Sequence, residues 1–189
     1  MCFYAGDMAV MRIVTPILAL LLCLTPLEGA TLEKLSLEEM IGKSTGIVRG
    51  RIASAGTVRR GSLIYTVSEV EVLERWKGPE GAACQVAVPG GKHGGYQQTF
   101  SGAPELAAGA EYVLFLWTGK SGLTQVIGLS QGLFTLSKNG DGTITAHRAA
   151  SGEVMLNPRT GQQVDDVAMS FSLNELRDRV ESSLNTARK

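Results

Sequence analysis

At 189 residues, with 44% hydrophobic and 19% charged content, the sequence has the size and composition of a single globular domain. Lys plus Arg number 18 and Asp plus Glu number 18, so the formal charge is zero. This balance excludes a bulk electrostatic attraction to nucleic acid or to an anionic membrane, and no nucleic-acid partner is expected; a local basic patch stays open.

Residues 1–30 have the pattern of a secretory signal peptide. Met1, Met8 and Met11 are all potential starts, Arg12 is a minimal charged region, and 13–24 is an apolar run interrupted by Pro16. That run is shorter than the ~20 apolar residues of a spanning helix, so the mature chain is expected to be exported, secreted or periplasmic, without a membrane span. Gly29 and Ala30 suit cleavage, whereas Glu28 suits it poorly; Cys23 leaves a lipid anchor open, with Leu22 standing where a small residue should be. Removal of the segment takes Cys2 and Cys23 with it. Cys84 is then alone, which excludes an intramolecular disulfide, and its alternating C-Q-V-A-V context reads as a buried, inert thiol.

From residue 31 the chain reads as one mainly β domain (31–171) followed by a C-terminal amphipathic helix (172–189). Ser36-Leu37-Glu38-Glu39 is a capping box that predicts a short N-terminal helix to about Lys43. A strand is expected over 47–52 and a turn over 56–61. Next comes a long strand over 63–78, L-I-Y-T-V-S-E-V-E-V-L-E-R-W-K-G, which from Leu63 to Trp76 would span ~46 Å and must therefore coil in a small domain. Tyr65 and Val67 mark its apolar face first, and Val70, Val72 and Trp76 later, which predicts a change of buried side near Ser68–Glu69 at a bulge. A strand over 84–88 precedes the glycine-dense segment 89–96, P-G-G-K-H-G-G-Y, read as a loop. The continuous apolar run 111–117 predicts a strand buried on both sides. Shorter strands are expected over 123–128, 133–136 and 143–146, the last two joined by the turn Asn139-Gly140-Asp141-Gly142. Ser172-Leu173-Asn174-Glu175 repeats the capping box, and Leu173, Leu176, Val180 and Leu184 fall on one helical stripe.

Several motifs imitate chemistry without completing it. Gly42-Lys43-Ser44 and Gly119-Lys120-Ser121 resemble the end of a phosphate-binding loop, but Leu37 and Leu114 stand where its first glycine belongs. The segment 137–144 imitates the start of a calcium loop, yet Arg148 occupies the place of the bidentate Glu. Gly128-Leu129-Ser130-Gln131-Gly132 matches a nucleophile elbow in pattern, but a strand rather than a helix follows it. Two distant histidines and one cysteine offer no metal-ligand spacing, and neither a metal nor a cofactor is expected.

The succession S-T-G-I-V-R-G-R-I, Y-T-V-S-E-V-E-V-L-E-R-W-K-G, V-A-V-P-G-G-K-H-G-G-Y and G-A-E-Y-V-L-F-L-W-T-G-K-S-G-L-T-Q-V resembles the strand order of the netrin-type module shared by tissue inhibitors of metalloproteinases. The likeness covers roughly 43–134 and includes the strand-terminal Trp76-Lys77-Gly78. It implies a small OB-like β-barrel. The N-terminal cysteine that chelates the protease zinc in that family has no counterpart here, and neither do the family's disulfides, so the resemblance carries the fold and not that mechanism.

The expected function is non-catalytic binding of a protein partner, a protease being one form of it, through Gly90, Gly91, Lys92, His93 and Tyr96, with Trp76 and Lys77 expected to adjoin them. A flexible connector is the plain alternative for that loop. An envelope hydrolase using Ser130 or His93, and a small-ligand or oligosaccharide carrier using the barrel face, are the rival functions.

Overall fold

The computed structural model describes residues 29–187. The expected signal peptide, all but its last two residues, and Cys23 with it, lie outside the described residues, as do 188 and 189.

The fold is mainly antiparallel β with two helices. Strand β1 (Thr31–Glu33) precedes helix α1 (Leu37–Lys43). Ser36 caps α1: its Oγ accepts from the Glu39 amide at 3.1 Å, and the Glu39 carboxylate accepts from the Ser36 amide at 2.8 Å. Then come β2 (Gly46–Arg60), β3 (Leu63–Lys77) and β4 (Ala83–Pro89), followed by the small pair β5 (Gly91–His93) and β6 (Tyr96–Gln98). Strands β7 (Glu111–Thr118), β8 (Thr124–Val126), β9 (Leu133–Lys138) and β10 (Ile144–Arg148) follow. The chain ends through β11 (Val154–Leu156), β12 (Gln163–Val164), β13 (Met169–Ser172) and helix α2 (Leu173–Thr186). The main sheet runs β13-β10-β9-β7-β2-β3-β4, with β8 paired to the outer half of β7.

As its unbroken apolar run predicts, β7 is buried on both faces. Val113 and Phe115 enter a core with Met40 and Ile41 of α1, Phe134, and Leu176 and Val180 of α2. Tyr112, Leu114 and Leu116 enter a second core with Val48, Ile52, Val70, Val86 and Val126. The second core is enclosed by β2, β3 and β4 curling round toward β8. Strand β8 comes against β4, but no hydrogen-bonded ladder joins them among the described residues. The stripe Leu173, Leu176 and Val180 of α2 is buried as expected; the second capping box forms by half, with Ser172 accepting from the Glu175 amide while the Glu175 carboxylate turns to Arg179.

Three local expectations are corrected. The turn expected over 56–61 shrinks to Gly61-Ser62, because the ladder continues through Thr57↔Thr66 to Arg60↔Leu63 and Gly61 alone takes a left-handed φ of +63°. The buried face of β3 does not change at Ser68: Ile64, Ser68 and Val70 share one parity and one side. The register instead slips at Leu73, which has no partner between Glu74 and Val72, and beyond it Trp76 packs on the helix-side core. An extra residue does sit opposite Val70–Glu69, but it is Ala53 on the partner strand β2. Thirdly, 89–96 is not a plain loop, because β5 and β6 pair across it around Gly94-Gly95, with φ of +56° and +82°.

The segment after β10 went unread in the sequence because an ion pair, rather than a pattern, orders it. Arg148 and Asp166 form a bidentate pair at 2.9 and 2.8 Å, with side chains 2% and 1% exposed. Asp166 also accepts from the amides of Ser151 and Val167, and Arg148 donates to the Val167 carbonyl. Burial pushes the Asp166 carboxyl up, but hydrogen bonds from Arg148 and those amides outweigh it, and the net shift is downward. A depressed folded-state pKa contributes stability that is present above the unfolded value and lost as pH falls through the folded one. Asp166→Asn leaves the buried guanidinium without its counter-charge and should cost about 3–5 kcal/mol in urea unfolding at neutral pH. The difference from wild type should shrink on acidification.

Candidate binding surface

Strand β2 pairs with β7 only from Gly46 to Arg51, whereas its pairing with β3 continues to Arg60. Its distal half therefore projects past the cores as a ribbon with β3, and the β5–β6 hairpin lies across one face of that ribbon. Side chains make the attachment. Thr57 Oγ1 donates to the Lys92 carbonyl at 2.8 Å, Thr66 Oγ1 donates to the Gly90 carbonyl at 3.0 Å, and the Gln98 amide group bridges the Ile64 amide and the Ser62 carbonyl at 2.7 and 2.8 Å. His93 Nδ1 stands 3.2 Å from the Thr57 carbonyl. Contact is close at Gly91, where an added Cβ would sit 2.7 Å from Thr66 Oγ1 and the backbone φ is +129°.

Charge is distributed unevenly over this ribbon. Near the cores it is paired: Arg49 bonds Glu74 and Glu111 at 2.7 and 2.9 Å, Arg51 bonds Glu111 at 2.6 Å, and Arg177 of α2 reaches Glu74 at 2.8 Å. The Arg51 and Arg49 guanidiniums hold the Glu111 carboxyl below the ordinary range against a smaller upward push from burial. The projecting end is different. Neither 53–68 nor 83–104 contains an Asp or Glu, and among the described residues no carboxylate lies within salt-bridge distance of Arg59, Arg60 or Lys92. Tyr96 is 70% exposed, with the Arg59 guanidinium 6.0 Å from its ring centroid. On the opposite face of the ribbon, Val58 and Leu63 are also exposed.

Of the residues expected to form one surface, Gly90, Gly91, Lys92, His93 and Tyr96 do come together on the hairpin. Trp76 and Lys77 do not join them, since Tyr65 meets Pro89 at the hairpin root and Trp76 lies roughly 36 Å further along β3 at 3.3 Å per residue. They serve the helices instead. Lys77 Nζ donates to the carbonyls of Ile41 and Gly42 at the end of α1, at 2.6 and 3.1 Å, and burial pushes its pKa down. Trp76 packs beside the helix-side core, its Nε1 bonded to Glu74 and Arg177 6.0 Å from its ring centroid. Arg59 and Arg60 were missed. Their signal was the absence of any acid over 53–68, which a whole-chain charge of zero conceals.

The other candidate positions serve turns. Leu129 takes a left-handed φ of +58°, and the Ser130 carbonyl accepts from the Leu133 amide as β9 begins. Among the described residues neither histidine bonds to Ser130. The neighbouring Gln131 is buried, its side chain joining the Leu35 amide and the Glu33 carbonyl, both at 2.9 Å. Asp141 accepts from the amide and hydroxyl of Thr143 within the β9–β10 turn. Cys84 is half-buried, and burial pushes its thiol up.

Gly91→Ala should detach the hairpin, at a cost of about 1–3 kcal/mol, because the strained φ and the Thr66 contact both act against the methyl group. Amide exchange should then accelerate over 91–98 while the cores stay protected. Lys77→Met keeps the alkyl stem, removes the bonds to α1 and should lower stability by about 1–2 kcal/mol without changing exchange in the hairpin.

No family model, no curated protein and no solved structure matches this chain.

Proposed function

We propose that this chain is an exported, non-catalytic binding module that engages an acidic surface of a partner protein through the projecting β2–β3 ribbon and the hairpin laid across it. The observation that carries the reading is an exposed Tyr96 with the Arg59 guanidinium 6.0 Å from its ring centroid and Lys92 on the same hairpin, Arg60 adding its charge at the ribbon tip from the other face, with no carboxylate within salt-bridge distance of these three cations among the described residues. An aromatic ring with a flanking guanidinium is the combination that supplies binding energy at protein interfaces, and unpaired cations steer an anionic partner. Rigid attachment of the hairpin lowers the ordering cost of binding. The export pattern at the start of the sequence supports the exported reading, and the curled β2–β3–β4 and β7–β8 arrangement supports an OB-like scaffold of the kind the netrin-type resemblance implies. Inhibition of a protease is one form the interaction would take.

The test is chemical crosslinking of the chain to its partner in the native medium, followed by calorimetry with the purified partner. Reversing two charges in Arg59→Glu/Arg60→Glu should weaken binding at least about tenfold, Tyr96→Ala should do the same, and the wild-type affinity should fall as salt rises. Lys77→Met should bind as wild type. Equal affinity of the ribbon variants and wild type would remove this surface from the function. Tight binding of an oligonucleotide, lost in the same variants, would replace the protein partner with a nucleic acid.

A further inference from the structure

Behind the root of the hairpin, on the side away from Arg60, a cleft of about 320 Å³ opens over the inner face of β3 and β4. Thr66, Ser68 and Val88 form its floor, the hairpin root at Gly90 and Gly91 one wall, and the irregular segment containing Phe100 and Glu105 the other. Ser68 shares the face of β3 that carries Ile64 and Val70, both buried and apolar, and is itself 1% exposed. Its hydroxyl has no hydrogen-bond partner in the protein. A hydroxyl left unsatisfied in this way costs stability, whereas alanine at the same position would carry no such cost.

We infer that this cleft binds a neutral polyhydroxylated ring, a sugar unit, with Ser68 as its buried polar contact. The chemistry of the lining selects that class. The Ser68 proton needs an acceptor, which a ligand hydroxyl supplies; an ammonium donates only and would leave that proton unsatisfied. Thr66 Oγ1 already donates to the Gly90 carbonyl and keeps lone pairs free to accept. No Lys, Arg or His lines the cleft, which disfavours an anion, and the one charged group, the Glu105 carboxylate, can accept from ring hydroxyls. Phe100 and Val88 offer apolar surface to the C–H face of a ring. The volume lies at the small end of the range for ligand pockets and suits one ring rather than a long chain.

The ribbon cations take no part in this site, so it stands or falls independently of the proposed partner surface. The test is an amide-shift titration of the ¹⁵N-labelled full chain with methyl β-D-glucopyranoside, with methylammonium and inorganic phosphate run as separate probes. Saturable shifts should appear at Thr66, Ser68, Gly91 and 100–105 with the glycoside alone. Ser68→Ala should weaken that binding at least about fivefold while its urea midpoint stays equal or rises, Phe100→Ala should weaken it as well, and Arg59→Glu/Arg60→Glu should leave it unchanged. The inference is overturned by the absence of saturation up to about 100 mM glycoside, weaker than any useful affinity. Binding that Ser68→Ala does not alter, or saturation by methylammonium or phosphate in place of the glycoside, overturns it equally.

Discussion

Strand β7 has no polar face, and the architecture follows from that constraint. With Val113 and Phe115 committed to the helix-side core and Tyr112, Leu114 and Leu116 to the other, both of its sides need cover. Helices α1 and α2 supply one cover. The other comes from the sheet itself, which curls until β4 lies against β8. Strand β2 shares the task, sending Ile47 to the helix side and Val48 and Ile52 into the curl. Gly50 permits the tight passage, since a Cβ there would lie 2.8 Å from the Glu71 carbonyl.

Once β2 has covered β7 it has no further core to serve, and it is from this point that β2 and β3 project. A projecting ribbon exposes strand edges, a hazard for aggregation that natural sheets blunt with charge and covering segments. Both devices are present, Arg59 and Arg60 on the ribbon and the hairpin over its face. The features proposed to make the end of the ribbon a binding surface are thus the same ones that protect it, and among the described residues no carboxylate comes within salt-bridge distance of its charge.

Legibility in the sequence tracked how local the cause was. The strand at 111–117 announced itself by six consecutive large apolar residues, and α1 by Ser36 and Glu39 three positions apart, because the interactions responsible are either nearby or simply apolar burial. The β5–β6 hairpin was obscured because its attachments are side chains more than 20 residues away, Thr57 and Thr66. Strands β11 and β12 were obscured because they are held by a ladder to β1 more than 120 positions earlier and closed off by a buried ion pair, and a lone Arg and a lone Asp 18 positions apart have no pattern. The face change in β3 was read in kind but misplaced, since parity reveals which side chains are apolar and not where a ladder loses register. Trp76-Lys77 suggested a surface and proved to be the seat of the helices, because a strand end beside a helix terminus offers a lysine free carbonyls to satisfy.

The pairing of β1 with β11 in parallel, together with the Gln131 side chain that holds Glu33 and Leu35, also has a bearing on how the chain acquires its structure. Strand β1 has no sheet partner until positions 154–156 exist, and no side-chain bridge until position 131 does. A ribosome delivers this strand early, yet it can be seated only after about four-fifths of the polypeptide has emerged. Strand β1 is thus among the last elements to be placed, because the contacts that seat it all come from residues far along the chain.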